Sequence, residues 1–476
     1  METMEIPIIG TAGSEGHYPI NFYFHPELEQ GRPGLMGTPG LTLYACIDPD
    51  GGKVRGMWDL DGLLYVVVDD HVYTYDGTTV VTCTGDTLIT TDKRIWMVDN
   101  GTQVMIVDGE EGYTVTGTVV TKIADTDFPI PSCLTYQDGY GLVTQVGTGK
   151  IFISGLNDFT SWDALDYTTA EAEPDDSLAV ISNHREILVL GSVSGETYYN
   201  SGNADFPFER IQGGHLEKGI SAPATLCSAD NAIFWLSEHR QVLRSIGLGQ
   251  SPQIMSTRQL DKLFESYSVV SNAFGYSIDV SGFTWYVLCF PSENVTWVFN
   301  VVTGRWHQWA AFASGVDTRH RSNCYVYFGE KHLIGDFQSG NIYEVDPTCY
   351  TDGGNTFRSS VIFPTLNKEG RRIFHSKLQI DFKTGVGLVT GQGSDPQVML
   401  QWSDDQMRVW SNEHWRSLGK IGEYKCMTKW NRLGHSRNRN YKVSVTDPVQ
   451  RVIYNPAFLE AEIGDADGRK ATTPVS

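Results

Sequence analysis

The chain has 476 residues, of which 40% are hydrophobic and 12% aromatic, so packed cores are expected and disorder is excluded over most of its length. No stretch approaches the roughly 18–20 consecutive apolar residues that a membrane helix requires, and the N-terminal residues lack the pattern of a secretory signal. The net charge of −21 is unevenly divided, because residues 1–355 carry −27 and residues 356–476 carry +6. The acidic larger part argues against ordinary DNA binding there, since attraction to phosphates needs a basic surface.

The composition favours an all-β fold class. Forty-nine glycines accompany many Tyr, Thr and Val residues, which is typical of short strands joined by tight turns. The eight cysteines include no Cys-x-x-Cys pair, so we expect buried reduced thiols and synthesis in a reducing cytoplasm rather than a zinc site or disulfides. At this length two domains or one large ring of repeats are expected.

The first part of the chain reads as an arm followed by repeated hairpins. Residues 1–45 contain many turn formers and are predicted to form an extended N-terminal arm. Within residues 46–350, Leu63–Tyr75 and Arg94–Val107 each show two β-rich runs around a polar turn, the second with an Asn-Gly turn. Five further hairpins follow, and the hairpin starts are spaced by roughly 31–52 residues, as in propeller blades. We therefore predict a β-propeller with six or seven blades.

One helix is expected among these hairpins. Ser256 and Thr257 can cap it, and Leu260, Phe264 and two further apolar residues, Leu263 and Tyr267, then share one face. We expect this face to pack against the rim of the ring.

A domain boundary is predicted near residue 350, where the charge changes and the Gly- and Asn-rich segment Thr351–Asn355 lies. Strand patterns continue beyond it, as in Ser376–Phe382. Residues 356–460 are predicted to form a separate β-sandwich-like domain, and residues 461–476 a frayed tail.

Segments that resemble catalytic motifs depart from them in detail. Gly147–Lys150 lacks the first glycine and the final Ser or Thr of a phosphate loop, and Gly191–Gly195 has Val193 where a nucleophile elbow has its nucleophile. Gly10–Gly16 opens no visible helix that could hold a phosphate. The histidines show no metal-binding spacing. We therefore predict no enzymatic activity, with no catalytic residue, cofactor or metal.

One motif is more specific. Ser403, Asp405 and Trp410 match the Asp box, Ser-x-Asp-x-Gly-x-x-Trp, a structural turn of sialidases and related β proteins, although Met407 replaces the glycine. In that motif the carboxylate holds a hairpin turn and the Trp packs beneath it, so we expect Trp410 to be largely buried. Met resists the positive φ that the glycine adopts, which leaves the form of the turn open.

A basic segment near the C-terminus is interleaved with Trp430 and Tyr441. It is either a partner-contact surface, with an acidic neighbour favoured over specific nucleic-acid binding, or a solvated strand face. Its cations are Lys425, Lys429, Arg432, Arg437, Arg439 and Lys442.

Several strings together resemble the tail nozzle, or packaged-DNA stabilisation, proteins of short-tailed phages. The resemblance covers about residues 155–450 and is moderately specific, whereas residues 1–150 match only in general character. The strings are Phe159-Thr-Ser-Trp162, Ala170-Glu-Ala-Glu-Pro-Asp175, Gly195-Glu-Thr-Tyr-Tyr-Asn-Ser-Gly202, Phe206-Pro-Phe208, Asp230-Asn-Ala-Ile-Phe-Trp-Leu236, Val295-Thr-Trp-Val-Phe-Asn-Val-Val-Thr-Gly-Arg-Trp306, Trp402-Ser-Asp-Asp, Trp410-Ser-Asn-Glu and Leu418-Gly-Lys-Ile-Gly-Glu-Tyr424.

The resemblance implies a virion structural protein, assembled in the host cytoplasm, that forms a homo-hexameric ring in the tail. Such a ring closes and conducts the DNA channel below the portal and its adaptor ring. Its implied partners are the adaptor, tail spikes or fibres, a plug or needle, and packaged DNA that passes without specific binding. The alternatives are a sialidase-like enzyme acting on host surface glycans and a lectin-like propeller that binds them.

Overall fold

The computed structural model describes residues 2–8, 17–170, 173, 175–203, 206–247 and 251–464. It confirms the all-β class: the only α-helix among the described residues is Arg258–Ser266, beside the short 3-10 turns Glu29–Gly31 and Pro223–Thr225. None of these helices is long and apolar enough to cross a membrane. The chain divides into two compact units. We call Thr42–Asn294 with His320–Val345 the ring unit, and Met1–Leu41, Val295–Arg319 and Asp346–Ser476 the sandwich unit.

Seven β elements follow one another among the described residues of the ring unit, six sheets and one hairpin, which accords with the predicted propeller. In chain order, the first sheet is Val54–Leu60, Leu63–Val68, His71–Tyr75, Val80–Thr82, and the second is Trp96–Asp99, Val104–Val107, Gly112–Thr116, Val119–Lys122, with Thr84–Gly85 added in parallel. The third sheet is Pro131–Gln137, Tyr140–Gln145, Lys150–Gly155, Asp158–Thr169, and the fourth is Ser177–Asn183, Glu186–Gly191, Gly195–Asn200, Phe208–Leu216. The fifth sheet is Cys227–Ala229, Ala232–Leu236, Val242–Ser245, Gln253–Ile254. The hairpin Phe274–Val280, Phe283–Phe290 comes next, and the last sheet is Ser322–Phe328, Lys331–Asp336, Gly340–Asp346, Gly40–Asp48.

The succession of sheets closes on itself. The strand Val54–Leu60 contacts the first strand of the second sheet and also the first strand of the last sheet, Ser322–Phe328. The outer strand of that last sheet, Gly40–Asp48, precedes the first sheet in the chain. Closure of this kind protects sheet edges, which is the advantage of a propeller.

The core of the ring unit lies between neighbouring sheets. Val54, Leu64 and Val66 of the first sheet form one buried cluster with Leu333 and Ile342 of the last. Alternate apolar side chains of each strand reach these interfaces, so the period-2 pattern of the sequence is what builds the core.

Local turn chemistry accounts for the hairpins. In the predicted Asn-Gly turn, the Asn100 side-chain oxygen accepts the N–H groups of Thr102, at 3.1 Å, and Gln103, at 3.0 Å. Gly101 has φ +84°, a conformation that glycine adopts without steric cost.

The helix Arg258–Ser266 has the predicted cap, because the Thr257 hydroxyl accepts the N–H of Leu260 at 3.3 Å. Leu260 and Phe264 are buried, whereas Leu263 of the predicted face is partly exposed. Arg240 closes the other end by donating to the carbonyls of Phe264 and Glu265, at 2.9 Å each, and to that of Tyr267 at 2.7 Å.

The sandwich unit contains two sheets around one core and a three-stranded meander. The meander is Val295–Asn300, Arg305–Ala313, Val316–Arg319. One sheet is Phe22–His25, Gly34–Gly37, Val452–Ile463, Ile373–Phe382, Thr428–Asn431, with Glu2–Ile6 on Val452–Ile463 and His435–Ser436 on Ile373–Phe382; the other is Ser359–Ile362, Asn438–Val445, Gln397–Ser403, His414–Ser417, with Leu366–Asn367 on Asn438–Val445. Leu378 and Leu459 of the first sheet share their buried cluster with Leu400 and Val443 of the second.

Residues 1–45, predicted as an extended arm, supply three of these strands. The buried Asn21 ties this segment to its unit, since its amide donates to the carbonyls of Ala310, at 2.8 Å, and Arg358, at 2.7 Å. At the other end, the strand Val452–Ile463 continues past residue 460, and residues 465–476 of the predicted tail lie outside the described residues. The four predicted segment boundaries stay a prediction.

Candidate functional site

The Asp-box-like segment forms a closed turn after the strand Gln397–Ser403. The Ser403 hydroxyl donates to the Asp405 carboxylate at 2.6 Å and accepts the N–H of Met407 at 3.0 Å. The same carboxylate oxygen accepts the N–H groups of Arg408, at 3.1 Å, and Val409, at 3.0 Å. These bonds lower the pKa of Asp405, with the Ser403 hydroxyl as the largest cause. The carboxylate thus satisfies the turn's backbone donors.

Met407 adopts the conformation of the glycine that it replaces. Its φ is +67°, and Gln406 before it has φ +60°. A left-handed residue with a Cβ costs roughly 1–2 kcal/mol. The hydrogen bonds of the turn therefore hold two residues in conformations that they would not adopt alone.

Trp410 departs from the prediction. It is half-buried rather than largely buried, and the Lys442 ammonium lies 5.6 Å from its ring centroid. The Trp of this turn therefore contributes less packing than an enclosed ring would. The Asp405 carboxylate bonds the backbone of its own turn, and a structural role for the turn stays a prediction.

The predicted basic segment does not form one surface. Arg439 is buried, and its guanidinium forms a two-bonded pair with Asp404 at 2.6 and 2.7 Å and donates to the Leu433 carbonyl at 2.6 Å. Trp430 and Tyr441, expected to interleave with the cations, are core residues. The partner-contact prediction is wrong for Arg439, because an alternating strand turns every second side chain inward.

The remaining cations differ in exposure. Lys425, Arg432 and Arg437 are exposed, while Lys429 and Lys442 are half-buried. Whether the exposed ones contact a partner stays a prediction.

Acidic side chains of the ring unit accept hydrogen bonds from the backbone of its turns. The Asp76 carboxylate accepts two backbone N–H groups of its own turn, at 2.8 and 2.7 Å, and Asp108 accepts two at 3.0 and 2.8 Å. The bond from Thr79 is the largest cause that lowers the pKa of Asp76. Part of the acidic excess therefore consists of carboxylates that accept hydrogen bonds from the backbone of their own turns.

The motif-like segments lie in ordinary turns. Gly147–Lys150 and Gly191–Gly195 each join adjacent strands, and the Asp175 carboxylate accepts two backbone N–H groups of the second, at 2.9 and 3.1 Å. Gly10–Gly16 lies outside the described residues. In the part of the chain that the structure describes, no three His, Cys, Asp or Glu side chains are grouped as metal ligands.

Two buried arginines escaped the sequence analysis. Arg55 donates five hydrogen bonds to groups of Asp69, Thr90 and Lys93. Arg451 is equally enclosed, but its guanidinium nitrogens have no hydrogen-bond partner within the described residues, and it stacks 4.1 Å from the Phe357 ring centroid. The available signal was a single Arg inside an apolar strand pattern, which does not reveal its partners.

Two family models match almost the entire chain. The model described as bacteriophage P22 Gp10, beta-propeller, matches residues 4–350, and the model described as bacteriophage P22 Gp10, beta-sandwich, matches residues 359–462. None of the curated proteins matches the chain.

Similar solved structures show low identity. The computationally designed Ika8 protein is 10% identical with a TM-score of 0.38, and the match covers 64% of this chain and 99% of Ika8. YCF48 from Cyanidioschyzon merolae is 11% identical with a TM-score of 0.41, covering 64% and 99%. An extracellular domain of BT4673 from B. thetaiotaomicron is 12% identical with a TM-score of 0.45, covering 95% and 61%.

Proposed function

We propose that this chain, which belongs to the family of bacteriophage P22 Gp10 and is therefore a structural protein of a phage tail, forms the nozzle that closes and conducts the tail's DNA channel. The observation that carries the proposal is the match of both family models, which together span residues 4–350 and 359–462. In this proposal the protein is a homo-hexameric ring below the portal adaptor. Its further partners are tail spikes or fibres and a plug or needle.

The charge distribution supports a conduit rather than a DNA-binding protein. Residues 1–355 carry −27, and backbone bonds, that from Thr79 first, lower the pKa of the turn carboxylate Asp76. DNA is repelled by such surfaces, and salt screens the repulsion beyond roughly 8–10 Å. A channel built from them retains little affinity for the DNA that must leave it.

The charge distribution is also compatible with contacts between identical copies in a ring. Identical copies form a closed ring only through heterologous contacts, in which one surface of a copy meets a different surface of the next. Residues 1–355 and 356–476 carry opposite net charges, so each copy offers segments of unlike charge for such contacts.

Removal of the protein from assembling particles tests the closure function. Phage particles that package DNA without this chain are expected to lose the DNA from filled heads, and addition of the purified chain before release is expected to restore retention. DNA content per particle, measured by sedimentation and nuclease sensitivity, gives the answer. Full retention of DNA in particles that lack the chain would contradict the proposal.

A further inference from the structure

The sandwich unit carries a group of exposed apolar side chains on two adjoining loops. Val389 is 80% exposed, Ile421 58%, Tyr424 74% and Met427 63%, and we call these four residues the apolar patch. Contiguous exposed apolar side chains mark interaction surfaces.

Close contacts hold the two loops of the patch together. The Thr384 hydroxyl donates to the Tyr424 carbonyl at 3.1 Å. Gly385 lies so close to Tyr424 that a Cβ on it would be 2.6 Å from the ring, and a Cβ on Gly387 would be 2.8 Å from the Ile421 nitrogen. The patch is therefore built on packed segments and does not depend on a free loop.

Cations flank the apolar patch. Lys420 and Lys425 are exposed and form no ion pair within the described residues; we call them the basic rim. The nearby Glu423 carboxylate already accepts the backbone N–H of Lys420 at 2.9 Å. The patch thus presents apolar groups bordered by positive charge.

A surface of opposite character lies on the ring unit. The strand Asp158–Thr169 is the last strand of its sheet. Its residue Trp162 pairs with Ser154 of the neighbouring strand, and the next paired residue, Tyr167, pairs with Phe152. The four residues between them, Asp163-Ala-Leu-Asp166, are left unpaired and form what we call the acidic bulge. Bulges at sheet edges commonly re-aim side chains for function.

The acidic bulge combines an apolar side chain with two carboxylates. Leu165 is 81% exposed. Neither Asp163 nor Asp166 has an ion-pair partner among the described residues, and burial, followed by the charge of Asp163, raises the pKa of Asp166. A cation placed beside this pair would relieve the repulsion between them.

We propose that the apolar patch, with its basic rim, docks on the acidic bulge of a second copy of this chain. Leu165 then packs on Tyr424 and Met427, and Lys420 and Lys425 face the two carboxylates. Charge complementarity favours this occupant, because one chain carries both surfaces and they match in sign and in apolar content. The contact is heterologous, as ring closure requires, and the inference rests on the proposed nozzle function.

Reciprocal charge reversal tests this contact. The rim variant carries Lys420→Glu and Lys425→Glu, and the bulge variant carries Asp163→Lys and Asp166→Lys. Each variant alone is expected to require at least about tenfold more protein than wild type to assemble on the adaptor ring, because close interfacial charge pairs contribute strongly to affinity. A matched control, Lys262→Glu with Lys368→Glu, changes the net charge as the rim variant does at other exposed lysines and should assemble as wild type.

The mixed sample gives the sharper result. In an equimolar mixture on the adaptor ring, the wild-type bulge of one variant meets the wild-type rim of the other, and the Glu rim meets the Lys bulge. The mixture is therefore expected to assemble at a lower protein concentration than either variant alone, as seen by analytical ultracentrifugation. A chain that carries all four reversals should recover assembly. If the rim and bulge variants assemble as wild type, the docking inference is overturned while the nozzle function stands. If wild type forms no ring with or without adaptor, the nozzle function itself fails. If the rim variant loses only spike or fibre binding, a different partner occupies the patch and the inference is again overturned.

Discussion

Replacing Arg55 with Met tests how neighbouring sheets of the ring unit are joined. Arg55 belongs to the strand Val54–Leu60 of the first sheet and is 2% exposed. Its guanidinium donates to the carbonyls of Asp69 and Thr90 at 2.6 Å each and to that of Lys93 at 2.7 Å. Thr90 and Lys93 lie on the segment that leads into the second sheet, so one side chain fastens two consecutive sheets.

The expected loss of stability is about 2–4 kcal/mol. Three carbonyls lose a charged donor, of which that of Thr90 is buried and the other two are partly buried. An unsatisfied buried group costs roughly 1–3 kcal/mol. Part of this loss is offset, because the variant no longer buries a charge whose removal from water costs several kcal/mol.

Arg451→Met is the matched control. Arg451 is also 2% exposed, and burial lowers its pKa to about 10, so it is still protonated at neutral pH. The substitution removes no hydrogen bond to the described residues. It removes the contacts of the guanidinium with the rings of Phe357, at 4.1 Å, and Tyr350, at 6.0 Å, together up to about 2 kcal/mol. Because it also relieves the burial of a charge, the change is expected to be within about 1 kcal/mol or stabilising.

Urea denaturation followed by tryptophan fluorescence and circular dichroism measures both variants against wild type. A lower midpoint for Arg55→Met together with an unchanged or higher midpoint for Arg451→Met supports the reasoning. Equal losses in both variants would refute it, since the number of bonded carbonyls would then not decide the stability.

Three further predictions follow from buried or hydrogen-bonded groups. Burial lowers the pKa of His375 to about 3. The stability that the neutral His375 contributes is therefore present above its ordinary pKa, near 6.5, and is lost as the pH falls from there towards 3. The variant His375→Gln should flatten the dependence of the melting temperature on pH between these two values. Trp410→Ala should cost clearly less than Trp430→Ala, for which about 3–5 kcal/mol is expected in denaturant titrations because its ring is enclosed. Asp405→Asn should lower the melting temperature at pH 7, by a margin that shrinks as the pH falls below the ordinary pKa of an aspartate, near 3.9, because the wild-type carboxylate then takes up a proton. A margin that does not change with pH would speak against the turn bonds.

Local patterns were sufficient for the elements of the ring unit. The hairpin at Asn100-Gly101 and the capped helix after Thr257 follow from a few neighbouring residues, and such signals survive folding because they act within one turn. The spacing of the hairpins then predicts the propeller without any knowledge of which sheets touch.

The local sequence pattern could not predict which distant strands pair with each other. Gly34–Gly37 pairs with Val452–Ile463, more than 400 residues away, and no local signal specifies such a partner. The same limit explains Arg439, which pairs with Asp404 in the turn after the strand Gln397–Ser403, and the half-buried Trp410. The apolar patch was invisible for a related reason, since Val389 and Tyr424 adjoin only through the contact between their loops.

The measurement that tests the central claim most directly is electron cryo-microscopy of the purified chain mixed with the portal adaptor ring. A chain that forms the nozzle is expected to give a closed ring of six copies seated below the adaptor, with an open or plugged channel on its axis. Particles in which the chain remains monomeric beside intact adaptor rings would contradict it.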